Sequence, residues 1–234
     1  MIFFFSNTIE GNLIRLDEEE SRHCLRVLRL GRNDIIHITD GKGNLYEAGI
    51  SDVASGWVTA NIIKTIVSPS TRGFRLHIAI APTKNSERFE WFLEKSSEMG
   101  IDEITPMFCT HSERTRVKPE RLRKILIAAV KQSLKTELPR LNEALAIKDF
   151  LKEPRPGIKL IASCLRGKEQ EIQHAYTKGH EAVVLIGPEG DFSEPEIEAA
   201  IKAGYVPVSL GESRLRTETA GVYVTAVINL MNRI

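Results

Sequence analysis

Cysteine is scarce in this chain: Cys24, Cys109 and Cys164 are widely spaced along 234 residues and form no CxxC pair. That spacing supports neither a zinc site nor a disulfide framework, and it suits a reducing cytoplasm. Surplus charge is also missing. The 32 Lys and Arg nearly balance the 31 Asp and Glu, so the case for any polyanionic partner has to be made locally. No stretch approaches the roughly 18 to 20 apolar residues that a membrane helix needs. Met1 to Ser6 is apolar but short and lacks a basic leader, so it reads as an opening strand and not as a signal peptide. His77, His111, His174 and His180 are scattered without ligand spacing, which argues against a metal site. There is no internal repeat and no low-complexity segment. The rest is ordinary for a globular chain, with 42% hydrophobic and 27% charged residues. Its length allows one or two cored domains.

The texture changes at Val67-Ser68-Pro69-Ser70-Thr71-Arg72-Gly73, whose proline, glycine and hydroxyl residues make a linker. Upstream, short β-type segments (Asp34 to Thr39, Leu45 to Ile50, Trp57 to Val67) surround a hairpin signal at Asp40-Gly41-Lys42-Gly43-Asn44. With one helix over Asp17 to Leu30, residues 1–70 read as a small β-barrel. Downstream, strands and helices alternate. Phe74 to Ala81, Ile104 to Phe108, Ile158 to Ser163, Ala182 to Ile186 and Tyr205 to Leu210 read as strands. Phe89, Phe92, Leu93 and Met99 make one helical stripe, closed by Gly100; Leu122, Ile125, Leu126, Ala129 and Val130 make another, opened by Pro119. Such alternation predicts a parallel sheet covered on both faces, with ligands at the carboxyl ends of its strands.

Two loops stand out. Ile186-Gly187-Pro188-Glu189-Gly190-Asp191-Phe192-Ser193 leaves a strand through a glycine-rich turn and enters a helix, with Ser193 and Glu196 as a capping box. It lacks the lysine and spacing of a P-loop and is not a GxGxxG, which argues against a nucleoside triphosphate site, while a plain tight connection stays open. Leu210-Gly211-Glu212-Ser213-Arg214-Leu215-Arg216-Thr217-Glu218-Thr219-Ala220 also links a strand to a helix. Thr217 suits its N-cap, and Glu218 suits the positive end of its dipole. That last helix is apolar nearly all round, which predicts burial in the domain or at a subunit interface.

Together with His23 and Val27-Leu28-Arg29, Phe89 to Ile101, Ser112-Glu113-Arg114 and Gln132-Ser133, these loops resemble the bacterial 16S ribosomal RNA (uracil-N3)-methyltransferase family of the SPOUT superfamily. The resemblance covers nearly the whole chain and is most specific in the two C-terminal loops. The sequence departs from the pattern at Asn85-Ser86, at Asp191 and at Leu134; glycine is common in relatives at the last two positions. The resemblance implies a PUA-like RNA-binding barrel over residues 1–70. Over residues 71–234 it implies a SPOUT α/β domain ending in a trefoil knot, a topology that periodicity cannot reveal. It further implies an S-adenosyl-L-methionine (AdoMet) site lined by Leu185, Gly187, Gly190, Leu210, Gly211, Leu215 and Arg216, with Pro82 and Ser163 as further wall residues. A homodimer acting in the cytoplasm on 16S rRNA or the small ribosomal subunit, with no membrane and no metal, completes the expectation.

Two basic clusters fit an RNA partner through phosphate neutralisation. One is Arg22, His23, Arg26, Arg29 and Arg32. The other is Arg114, Arg116, Lys118, Arg121, Arg123, Lys124, Lys131 and Lys135. Arg22, His23, Arg26, Arg29, Arg114, Arg116 and Lys118 are the expected contacts, although a charged stripe on a helix also reads as a solvated face. Transfer to uracil N3 requires a target out of its stack. Arg216 or Arg214 would stabilise the uracil anion, and Glu218 is a possible base as well as a helix-end charge. Two alternatives stay open: a SPOUT enzyme acting on transfer RNA or a ribose 2′-hydroxyl, and a non-catalytic RNA-binding or ribosome-assembly protein on the same fold.

Overall fold

A computed structural model describes residues 2–67, 72–163 and 169–233. Ser68 to Thr71 of the expected linker, and Cys164, lie outside the described residues. The chain forms two compact units: Met1–Thr71 with Ile127–Leu138, and Arg72–Leu126 with Pro139–Ile234.

In the first unit the strands are β1 (Phe3–Phe5), β2 (Ile9–Glu10), β3 (Leu13–Arg15), β4 (Ile35–Thr39), β5 (Asn44–Ala54) and β6 (Trp57–Val67). They form a curled sheet in the order β1-β4-β5-β6-β3-β2, antiparallel except for β1 beside β4. Alternation puts Ile36, Ile38, Ala48, Ile50, Val58 and Ala60 on one buried face. The expected hairpin signal does join β4 to β5, where Asp40 accepts hydrogen bonds from Lys42 N and Asn44 N. The single helix expected over Asp17 to Leu30 is shorter and divided. Helix α1 (Glu18–Arg22), capped by Asp17, runs into a π-helical turn over His23–Val27, and Arg29 then turns left-handed at φ 57°. Leu28 N reaches back five residues to His23 O at 3.1 Å; periodicity carries no signal for that widened turn.

In the second unit the order is β7 (Leu76–Ile80), α2 (Ser86–Met99), β8 (Glu103–Phe108), α3 (Pro119–Gln132), β9 (Arg140–Leu141), β10 (Leu145–Ala146), α4 (Ile147–Phe150), β11 (Ile158–Ala162), β12 (Gln170–Glu171), α5 (Ile172–Ala175), β13 (Ala182–Ile186), α6 (Glu194–Lys202), β14 (Val206–Ser209) and α7 (Thr217–Arg233). The sheet is parallel, in the order β10-β8-β7-β13-β11-β14-β12. Strand β13 is apolar throughout because both its faces are buried. On one face Leu185, Val183, Ile161 and Ala79 pack with α4 and α6 through Phe150 and Ile197. The other face carries α2 and α7, which meet through Thr225 Oγ1 donating to Ser96 Oγ at 3.1 Å and Asn229 donating to Gly100 O at 2.8 Å. The last helix is therefore two-sided: Ala220, Val224 and Ile228 are buried, whereas Tyr223 and Leu230 face outward. Among the described residues no helix is long and apolar enough to cross a membrane.

Candidate functional site

Parallel register brings the ends of β7, β13, β11 and β14 to one edge, because Ile80 pairs with Ile186, Ile186 with Ala162, and Ala162 with Val208. The site lies just beyond these strand ends. Ala81 N donates to Ile186 O at 3.0 Å and leads into buried Pro82. Ser163, also buried, donates its N–H to Val208 O at 3.4 Å. Gly187 opens the first loop, and Leu210 and Gly211 open the second. The two loops are joined where Thr217 Oγ1 donates to Gly187 O at 3.0 Å. The Thr217 hydroxyl, read from sequence as an N-cap, thus gives its proton to another loop.

Close approach favours glycine here. A Cβ on Gly187 would lie 3.1 Å from the Phe192 ring, and one on Gly190 would lie 3.1 Å from His111 Cβ. At Gly211 the backbone is left-handed, φ 110°, with open space around it. Leu215 is half-buried, and Arg214 and Arg216 are exposed, with no ion pair among the described residues. The expected wall residue Leu185 turns its side chain away from solvent. It is fully buried in the apolar cluster and paired on both sides within the sheet, one residue before the strand ends and two before Gly187.

Glu218 is the unexpected feature. Only 6% exposed, it has Oε1 at 3.9 Å from Arg88 Nε, while Oε2 has no hydrogen-bond partner among the described residues. A buried carboxylate oxygen left open is rare, because stranding it costs about 1–3 kcal/mol or more.

The expected RNA contacts separate into free and engaged groups. Arg22 pairs with Glu18 at 2.9 Å, His23 lies against Phe4 with ring centroids 5.9 Å apart, and Arg26 and Arg29 are exposed. Arg116 and Lys118 are exposed on the segment before α3. Arg114 is engaged: its Nε donates to Thr83 O at 3.0 Å and its Nη2 to Lys84 O at 2.9 Å. Within the wider basic stripe, Arg121 pairs with Glu90 at 2.6 Å and Lys131 with Glu20. Burial pushes the Cys24 thiol up to about 11 and the Cys109 thiol higher still, so neither described cysteine is poised as a nucleophile.

Sequence reading missed the side chains that hold the first loop. Glu196 does more than close its capping box: Oε2 accepts from Ser193 N and Oγ, and Oε1 accepts from Thr110 N at 2.7 Å. Burial pushes its carboxyl up, but these bonds outweigh burial and leave it below its ordinary range. Glu189 Oε1 accepts from Lys84 N at 3.0 Å. The Thr110–Glu196 and Lys84–Glu189 partners lie 86 and 105 residues apart, beyond the reach of any local pattern.

A parallel sheet with glycine loops gathered at its carboxyl edge, in a chain that also carries a curled β unit, fits the class of RNA methyltransferases. The profile of the RNA methyltransferase domain family matches residues 70–229, and that of the RNA methyltransferase PUA domain matches residues 16–63. The chain belongs to the ribosomal RNA small subunit methyltransferase E family. A member from Synechocystis is 30% identical over 227 residues, covering 93% of this chain and 73% of that one. A crystal structure of a probable rRNA-methyltransferase from Porphyromonas gingivalis is 40% identical, has a TM-score of 0.92, and covers 100% of this chain and 99% of that one. The Neisseria gonorrhoeae ribosomal RNA small subunit methyltransferase E, bound to S-adenosyl methionine, is 28% identical with a TM-score of 0.81, covering 99% and 98%. The expected SPOUT-type α/β fold holds.

Proposed function

We propose that this chain methylates N3 of a uracil in the 16S ribosomal RNA of the small ribosomal subunit, with AdoMet as donor. The observation that carries the reading is the edge where two glycine loops meet through Thr217 and Gly187, beside a buried carboxylate with one open oxygen. Such an edge fits a bound group rich in N–H and O–H donors: Gly211 borders open space, and Glu218 Oε2 awaits a donor. Gly187, Gly190, Leu210, Gly211 and Leu215 would hold AdoMet, with Pro82 and Ser163 as walls and Arg216 at the rim. When bound, AdoMet supplies a methyl group activated on a sulfonium. The AdoMet complex of the Neisseria relative supports this assignment.

N3 loses a proton as it gains the methyl group. Exposed Arg216 and Arg214 would stabilise the uracil anion, and the open oxygen supports Glu218 as the proton acceptor. The reading also makes residues 1–70 the RNA-binding barrel and residues 71–234 the methyltransferase domain. A C-terminal trefoil knot fits α7 returning against β7 after β14. Exposed Tyr223 and Leu230 on α7 support a homodimer. A ribosomal substrate supports a cytoplasmic location.

Calorimetry with AdoMet, followed by methyl transfer to small-subunit RNA mapped by mass spectrometry, tests the reading. About one AdoMet per chain and an N3-methylated uracil are expected. At saturating AdoMet, Arg216→Ala should lower turnover by about two orders of magnitude; full turnover would remove Arg216 from the chemistry. No AdoMet binding, with or without RNA, would leave a non-catalytic RNA-binding protein.

A further inference from the structure

The segment after β8 touches the turn that follows Pro82 and the first glycine loop, both at the proposed cofactor edge. It first folds on itself, since Cys109 N donates to Ser112 Oγ at 2.9 Å and Ser112 N to Cys109 O at 3.0 Å. From that turn three groups reach outward. The Arg114 fork donates to two successive carbonyls, Thr83 O and Lys84 O, of the turn just after Pro82. Thr110 N and Oγ1 donate to Glu196 Oε1 at 2.7 and 3.0 Å, at the far end of the glycine loop. His111 Nδ1 lies 3.1 Å from Asp191 O, in the middle of that loop. Glu189, on the loop itself, closes the circuit by accepting from Lys84 N at 3.0 Å.

We propose that Thr110–Arg114 is a bracket that positions the AdoMet cradle, with Arg114 and Glu189 as its positioning residues, and that Arg114 acts on the cofactor side and not on an RNA phosphate. The inference rests on the cofactor reading above.

The chemistry favours this role. A guanidinium offers parallel donors in a rigid plane and satisfies two neighbouring carbonyls at once, which fixes the turn; an ammonium is a point donor and holds one. These two bonds commit the Nε–Nη2 edge of Arg114 to the turn, and the salt slope of RNA binding reads whether its other edge serves a phosphate. Glu189 works through one oxygen, so a neutral acceptor of the same shape should replace it. Asp191 stands left-handed, φ 62°, in the glycine loop, which gives that loop a reason to need outside support.

The test uses the full chain and two independent titrations, AdoMet by calorimetry and a small-subunit RNA fragment across salt. Arg114→Ala and Arg114→Lys should each weaken AdoMet by about tenfold or more, with the slope of RNA affinity against salt unchanged. Unchanged AdoMet affinity would overturn the proposal, most directly if the salt slope falls by about one, the mark of a lost phosphate contact. Should Arg114 variants lose the fold, exposed Glu189 gives a second route. Glu189→Ala should weaken AdoMet and speed hydrogen exchange at the Lys84 amide, and Glu189→Gln should restore both. Normal AdoMet affinity or normal Lys84 exchange in Glu189→Ala would overturn the bracket. Exchange at Lys84 is read without ligand. A wild-type chain that ignores AdoMet therefore defeats the cofactor reading alone, and the bracket geometry is still judged by the Glu189 pair.

Discussion

Leu134 and Asp191 occupy left-handed backbone, at φ 56° and 62°, and both are positions where the family that this sequence resembles often carries glycine. They do not bear the geometry equally. Asp191 has local compensation, because its Oδ1 accepts from Phe192 N at 2.7 Å, and short Asx side chains tolerate this region. Leu134, 47% exposed, has a bulky side chain and no such bond. A left-handed L-residue costs roughly 1–2 kcal/mol, offset in part by the extra unfolded-state freedom that glycine brings. Leu134→Gly should therefore stabilise the protein by about 1 kcal/mol and raise its melting temperature by about 2–4 °C. Asp191→Gly should gain less than that. Thermal melts of the two variants decide it, and an unchanged or lower melting point for Leu134→Gly would refute the argument.

Helix α7 shows how an element can reverse a residue-level rule. Gly221 lies inside this helix, where alanine is normally favoured by about 1 kcal/mol. Here an added Cβ would sit 2.5 Å from two carbons of the Phe92 ring and 3.0 Å from Ile80 Cδ1. Overpacking of that kind costs about 1–3 kcal/mol, so Gly221→Ala should destabilise where propensity predicts a gain. Adding Phe92→Leu should recover part of the loss, and a double-mutant cycle in urea would show that coupling. The same contrast explains what the sequence made legible. Strands β6 and β13 are read to the residue, because burial writes itself directly into alternation or an apolar run. The glycine loops are legible because close approach excludes side chains. The π-turn at His23–Val27, the buried state of Glu218 and the partners of Arg114 are not. The π-turn is local but leaves no mark on periodicity, whereas the other two depend on groups far away in sequence, and Arg114 looked like any other member of a basic run until its two carbonyl partners were known.

At the scale of the molecule, sequence texture suggests cutting after the barrel, yet Ile127–Leu138 packs with the first unit and arrives from beyond the cut. What it brings is specific. Lys131 is the counter-charge of Glu20, which is 6% exposed and whose carboxyl is pushed up by burial. Thr136 O accepts from Thr39 Oγ1 at 3.1 Å and from Gly43 N at 3.0 Å, and Leu138 N donates to Gly41 O at 2.9 Å. A fragment ending at Thr71 keeps Glu20 and the hairpin but loses all of these partners. Breaking a buried ion pair costs about 3–5 kcal/mol on its own, a large share of the roughly 5–15 kcal/mol that holds a domain together. The fragment 1–71 should therefore unfold at far lower urea than the first unit does in the full chain, where Trp57 reports its unfolding once Trp91 is replaced by Phe. Glu20→Gln should restore part of the fragment's stability, because a neutral amide buries at lower cost than an unpaired carboxylate. A fragment that unfolds cooperatively at the full chain's midpoint would show that Ile127–Leu138 rests on a barrel able to stand without it.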